Sequence, residues 1–462
     1  MKRKLAIILA AVLTLGLIGC AGGNAGGGTE EPAAQSEPAA QNTQTPSGGG
    51  AEPETESAVW RYEVEIVSDE QKFTADDGTV IATKKSQTPR LTLKREGGSA
   101  ADEPPKGMRA VCDAFNEGTG TPMLWDVDIE ADAREQYEWK KQEGIEFMEL
   151  ADESEVAGVY QHGDLLSVLG QCYVNLGGAH PDWGYVSWNF DLGTGSFFTP
   201  ALLSDRSGEM CAAVSDEIVY EIYGTEWYEG YYDNFSEIVR MLTDYDAFFN
   251  EKGMTVYFQE YELAPRALGV LEFTIPYAKL GRFLNEDGKR ILALSPEDAA
   301  LADFYEADEM WNWFEGAVPQ DDADRRELHI DGADGGWEMD YYRVTIPGVT
   351  TLAALKERLA ARFSDELIER RFNTGEYDMF REFDGVLYAL PAGRGDNLMV
   401  DSVEYSVRMD ADGKGGKVIA SIQWQDYDDV KGEWVLTEKT EKELPFAVTE
   451  SGARFSDFVS VW

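Results

Sequence analysis

Residues 159–191 read VYQHGDLLSVLGQCYVNLGGAHPDWGYVSWNFD. Two apolar runs meet at His162-Gly163-Asp164, and a short polar joint of this kind between apolar runs predicts a β-hairpin. After the break at Gly177-Gly178 and His180-Pro181, aromatic side chains alternate from Trp183 to Phe190. That period of two predicts a third strand, followed by a glycine-containing turn in DLGTGSFF. Three strands in immediate succession imply an antiparallel sheet, and the helical segments elsewhere make the fold class α+β.

The same patterns extend outward. Trp60, Tyr62, Val64 and Ile66 alternate with Arg61, Glu63 and Glu65, which predicts a half-buried strand, and RLTLKRE at 90–96 predicts another. Helical composition marks 131–143, EMCAAVSDEIVYEIYG ending at Gly224, and roughly 234–243. Short strands are expected in MTVYFQEY and LEFTIPY. Ser295-Pro296 followed by acidic residues predicts a helix start with Ser295 as N-cap, the helix running to about Phe314. VPQDDADRRELHIDGADGG then reads as a polar loop. A strand in WEMDYYRVTIP, an amphipathic helix in TTLAALKERLAARF, a Ser364-capped helix and several strands complete the chain. VEYSVRMD and KVIASIQWQD are expected to pair through ADGKGG. Two domains with antiparallel sheets and a few helices are expected, 58–296 and 297–462.

Residues 1–19 have the form of an export signal: Lys2, Arg3 and Lys4 precede the apolar run from Leu5 to Leu17. LIGC at 17–20 has the form of a lipobox, so Cys20 is expected to carry lipid and to anchor the protein at the extracellular face of the cell membrane. From Cys20 to residue 57 the chain is expected to be a disordered tether, because 21–57 contain no aromatic or large aliphatic residue. At about 5–6 Å times the square root of its length, the tether would hold the folded part about 35 Å from the membrane.

Charge narrows the partners. Removing Lys2, Arg3 and Lys4 from 40 basic residues leaves 37 against 86 acidic ones, a net charge of −49. Such a surface repels nucleic acid and anionic wall polymers and attracts basic proteins. Nucleic acid is therefore not an expected partner.

No catalytic constellation is evident. A hydrolytic cysteine needs a base beside it, yet neither Cys112, Cys172 nor Cys211 stands in a recognisable spacing with His162, His180 or His329. No disulfide is assigned among the three thiols. Zinc-ligand spacings are absent, and DADGKGG at 410–416 carries Ser421 where a calcium loop needs an acid, so it reads as a hairpin turn. No metal, cofactor or catalytic residue is expected, and the protein is expected not to be an enzyme. VYEIYGTEWYEGYYDNF at 219–235 concentrates seven aromatic rings in seventeen residues. Core or protein-interface roles are favoured for them over glycan stacking.

Two blocks, LGGAHPDWGYVSWNFDLGTGSFFTPALL and GMTVYFQEYELAPRALGVLEFTIPYAKL, resemble the RsiV-like domain of unknown function. That domain occurs in the lysozyme-sensing anti-sigma factor of Gram-positive bacteria. The resemblance rests on Gly177, Gly178, His180, Pro181 and Asn189-Phe190-Asp191. The second block adds Tyr257-Phe258, Tyr261, Ala264-Pro265, Gly269 and Phe273 to Tyr277. It covers about 60–296 and implies that His180 is a turn residue bonding the backbone, or part of a binding rim. No sigma-binding segment or transmembrane helix is expected, so the regulatory role does not carry over.

Residues 297–462 are similar to the IseA family of DL-endopeptidase inhibitors through YYRVTIPGVTTLAALKERLAARFSDELIERRF and YDMFREFDGVLYALPAGRG. The matching positions are Thr351, Leu352, Leu355, Phe363, Ser364, Asp384, Gly385, Leu387, Tyr388, Arg394 and Gly395. The resemblance implies occlusion of a cell-wall hydrolase, with Tyr388 and Arg394 as candidate binding residues beside His180. The expected function is a lipid-anchored, non-catalytic envelope protein that binds and inhibits a DL-endopeptidase. A lysozyme-binding sensor or decoy and a weak wall-glycan binder are the alternatives.

Overall fold

The computed structural model describes residues 59–97, 103–315, 318–330, 337–373, 378–391, 397–428 and 431–459. The chain divides into Met1–Thr55 and Glu56–Trp462, and the second unit contains every hydrophobic core described below. Among the described residues nine α-helices and seventeen strands form four mostly antiparallel sheets, an α+β fold. None of these helices is long and apolar enough to cross a membrane.

The first sheet holds six strands in sequence order: β1 (Val59–Thr74), β2 (Val80–Glu96), β3 (Leu150–His162), β4 (Leu165–Asn175), β5 (Asp182–Asp191) and β6 (Ser196–Phe197). The hairpin at His162-Gly163-Asp164 forms as read, with Gly163 at φ 56°. One pairing departs from the antiparallel expectation: β2 and β3 run parallel from Ala82–Leu150 to Ser86–Ser154. A parallel neighbour requires a crossover, and two helices lie in that connection, α1 (Lys106–Gly118) and α2 (Ile129–Glu143). Phe115 of α1 packs with Leu91, Leu166 and Phe190. Asn116 ties the same helix to β2, accepting from Leu91 N at 2.8 Å and donating to Leu91 O at 2.9 Å. Met108, Val111, Cys112 and Phe115 carry the helical period for α1 in the sequence.

The next core gathers α3 (Ser207–Gly224), α4 (Phe235–Arg240), the three-stranded sheet β7 (Ala247–Asn250), β8 (Gly253–Phe258) and β9 (Leu271–Pro276), and the short helices α5 (Tyr277–Gly281) and α6 (Glu286–Leu292). Helix α3 buries Cys211, Val214, Ile218 and Ile222, residues three or four apart on one face.

Helix α7 (Pro296–Asn312) begins as read, its Ser295 cap accepting from Asp298 N, and ends two residues before Phe314. It packs in two directions. A Cβ at Gly281 of α5 would collide with Ala302, while Phe304 joins the last core.

That core lies among α7, α8 (Leu352–Ala360), α9 (Asp365–Phe372) and two four-stranded sheets. One sheet orders β10 (Gln320–Ile330), β11 (Trp337–Val344), β13 (Val386–Ala389) and β12 (Phe380–Phe383) as β10-β11-β13-β12. The other runs β14 (Val400–Met409), β15 (Gly415–Asp428), β16 (Glu433–Thr449) and β17 (Gly452–Phe455). Strand β10 occupies the segment expected to be a polar loop. It is an edge strand whose charges pair across the ladder, Arg325 with Asp340 at 3.0 Å and Arg343 with Asp321 at 3.5 Å, so no apolar alternation is needed to hold it. ADGKGG is a hairpin turn, Asp410 N bonding Gly415 O at 2.9 Å.

Candidate functional site

The two blocks that carry the first resemblance meet in space. Asn189 of β5 donates to Ala247 O at 2.8 Å and accepts from Ser167 Oγ at 2.7 Å, and Ser167 Oγ in turn accepts from Phe249 N. These buried bonds join the first sheet to β7. Asp191 ends the same strand as an anchor. Its carboxylate takes both Arg290 Nη1 and Nη2 at 2.9 and 2.7 Å, and accepts from Thr194 Oγ1 and Gly193 N. Burial alone would raise this carboxyl, but the hydrogen bonds from Arg290, Thr194 and Gly193 outweigh it and hold the pKa at about 2. The Asn-Phe-Asp motif therefore serves packing.

Farther up β5 the contacts reach the surface. Gln259 accepts from Tyr185 N at 3.0 Å and donates to Tyr185 O at 2.7 Å, occupying the place of a neighbouring strand. Gly184 beside it has no room for a Cβ against that amide. Arg266 bridges Asp182 at 2.9 Å and Glu260 at 3.3 Å, and the Trp183 indole donates to Glu260. Desolvation raises the Glu260 carboxyl against the pull of Arg266. Trp183, Tyr185 and Tyr257 stack edge to face in a row at 5.7 Å spacings. Tyr261 stands exposed at φ 71° on the same loop.

Leu263 O accepts from Tyr232 N at 2.9 Å, and a Cβ at Gly230 would meet Leu268, so the loop adjoins the aromatic-rich segment after α3. Tyr231 and Phe235 turn inward and pack together. Tyr220, Tyr223, Trp227 and Tyr228 stay exposed, at 76%, 56%, 66% and 44%, although one edge of Tyr223 rests on the Phe235 ring at 5.2 Å. They project from the face of α3 opposite its buried stripe and from the turn that follows. Glu221, Glu226, Glu229 and Asp233 are exposed among them. Large aromatic side chains left in water amid carboxylates form a surface suited to a partner bearing apolar and cationic groups.

The candidate residues from the sequence do not converge. His180 is exposed in the loop before β5, and its side chain makes no hydrogen bond to a described residue. Tyr388 is 2% exposed on β13, where its hydroxyl donates to Asp324 at 3.0 Å and its ring packs on Phe383 and under Arg326. It is a core residue of its sheet. Cys20 and Arg394, with the signal segment and tether, lie outside the described residues.

Cys112, Cys172 and Cys211 are free and buried, and desolvation raises each thiol, Cys112 to about 11. His162 bonds Ala293 O at 3.3 Å and His329 bonds Glu338 at 2.6 Å. Among the described residues no group of three metal-ligating side chains comes together.

With this geometry in place, comparison with known proteins assigns residues 209–278 to the family described as protein of unknown function (DUF3298). The DUF3298 domain thus spans α3, the exposed aromatic row and β7 to β9, and leaves His180 outside the matched segment. A DUF3298 family member from Bacteroides fragilis is similar at 14% identity and TM-score 0.34, covering 49% of this chain and 94% of its own. One from Pseudomonas aeruginosa is similar at 14% identity and TM-score 0.30, covering 49% of this chain and 96% of its own. No curated protein sequence matches.

Proposed function

We propose that the protein is a non-catalytic protein, lipid-anchored at the extracellular face of the cell membrane, that binds a basic peptidoglycan hydrolase. The observation that carries this reading is the exposed row Tyr220, Tyr223, Trp227 and Tyr228 set among carboxylates. Aromatic anchors supply contact area at low entropic cost, and the acidic surroundings steer a cationic partner. The row lies in the part that resembles a lysozyme-sensing domain, so a lysozyme is the first partner class. Restraint of a DL-endopeptidase through 297–462 is the second. It is supported by the order of elements there: β11, a Thr351-capped helix, a Ser364-capped helix, then a hairpin turning at Asp384-Gly385.

Calorimetric titration of the unit Glu56–Trp462 with a c-type lysozyme and a panel of NlpC/P60 hydrolases tests both. A complex whose affinity falls steeply between low and physiological salt is expected, because the Debye length shrinks to about 8 Å at 0.15 M. Lack of a complex with every enzyme at low salt ends the proposal.

A further inference from the structure

A second feature, independent of the hydrolase reading, lies on the first sheet, outside the matched segment 209–278. The face that carries Ser167, Ser187 and Asn189 is covered by β7 through the bonds to Ala247 and Phe249. Farther along the strands the same face is open and forms a groove of about 410 Å3, within the range of small-molecule sites.

Strand register places the side chains of this groove. Residues directly opposite on neighbouring strands share a face, as do residues two apart along one strand. One row crosses β1 to β5: Glu70 lies opposite Lys85, Lys85 opposite Glu153, Glu153 opposite Tyr173, and Tyr173 opposite Trp183. The row beside it contains Ser68 and Gln87, then Glu155, Gln171 and Tyr185. Between Gln87 and Glu155 the sheet forks. The β2–β3 ladder ends at Ser86–Ser154, and Gln87 Oε1 accepts from Val156 N at 2.8 Å where the next backbone bond would fall. At about 4.8 Å between strands, the groove runs about 14 Å from Glu70 to Tyr173, the length of a short oligosaccharide or extended peptide.

Its chemistry separates these two. Lys85 is held by Glu153 at 2.7 Å with both side chains about half exposed, and Glu70 is held by Lys72 at 3.0 Å. The groups left without a partner among the described residues are the Gln87 Nε2, both ends of the Gln171 amide, the Tyr173 hydroxyl and the Glu155 carboxylate. Donors and acceptors therefore stand side by side. A cationic peptide would use only the acceptors and would meet Lys85; an anionic ligand would meet Glu70, Glu153 and Glu155. A sugar hydroxyl donates and accepts at once and fits both kinds of group. The half-buried rings of Tyr173 and Trp183, neighbours in one row, add flat apolar surface for the C–H face of a pyranose.

We propose that this groove binds an uncharged oligosaccharide, with a sugar ring on Tyr173 and hydroxyls on Gln87, Gln171 and Glu155.

The test is ligand-observed NMR on the unit Glu56–Trp462, reading saturation transfer to the ring protons of chitotriose, cellotriose and maltotriose. Trigalacturonate and trilysine are the charged controls. Saturable transfer to at least one neutral trisaccharide and none to the controls is expected, and preference for chitotriose would show that the acetamido group is read.

Tyr173→Ala is expected to weaken binding at least about tenfold. Gln171→Ala is expected to weaken it about fivefold, the effect of losing one hydrogen bond, with an unchanged unfolding midpoint. Gln171 makes no bond to a described residue, so its variant carries the test if Tyr173→Ala does not fold. The proposal is overturned if none of the neutral trisaccharides binds, if trilysine or trigalacturonate binds as tightly, or if Gln171→Ala keeps the full affinity.

Discussion

The aromatic residues after α3 and those between α7 and β17 are drawn from the same chemical types and have opposite fates. Phe304, Trp311, Phe363, Phe455 and Phe458 close on one another with ring centroids 5.3–6.1 Å apart and are almost entirely buried. Tyr220, Tyr223, Trp227 and Tyr228 remain in water. The difference follows from what faces each set. The inner set lies where helices and strands converge from separate parts of the chain. The outer set projects from a helix whose opposite face already buries seven residues. Aromatic density by itself therefore does not identify a core, and the energetic roles of the two sets should separate cleanly.

Removing an inner ring should have the largest effect on stability. Phe455→Ala is expected to cost about 3–5 kcal/mol in denaturant unfolding, through lost burial and the cavity left behind. Asp191→Asn should follow, at about 2 kcal/mol, by weakening the charged bonds to Arg290. Its pH dependence is also defined. The folded pKa of about 2 lies below the ordinary 3.8, so this contribution is present above about pH 4 and lost as pH falls towards 2. Stability of the variant should vary less with pH across that interval. Thr351→Ala, which removes the cap bond to Ala354 N, should cost about 1 kcal/mol.

Smallest on stability should be the outer row. Tyr220→Ala and Trp227→Ala are each expected to change unfolding by no more than about 0.5 kcal/mol. The pair should nevertheless weaken hydrolase binding at least about tenfold, the behaviour of interface anchors. A large loss of stability here, with binding intact, would erase the contrast between the two sets.

Local chemistry made much of the fold legible in the sequence. The glycine turn at Gly163, the helix end at Gly224 and the Ser295 and Ser364 caps each act within a few residues. The parallel pairing of β2 with β3 was not legible, because its cause is a partner about seventy residues away. Strand β10 was hidden for a related reason: its charges are satisfied across the ladder by Asp340 and Arg343, which sequence order does not reveal. For the candidate site, the sequence marked the aromatic segment at 219–235 but not which rings stay outside. His180 and Tyr388 stood out because of motif position, and neither position reports burial.

The Gln259 amide at Tyr185 has a consequence for how molecules of this protein meet one another. The outer margin of β5 ends there in backbone groups able to recruit any extended peptide, including the same strand of a second copy. One side chain, arriving from a loop over seventy residues away, takes both of those bonds. Strand addition there would first have to expel the amide, so Gln259 closes the stretch of this margin between the Arg266–Asp182 pair and β7.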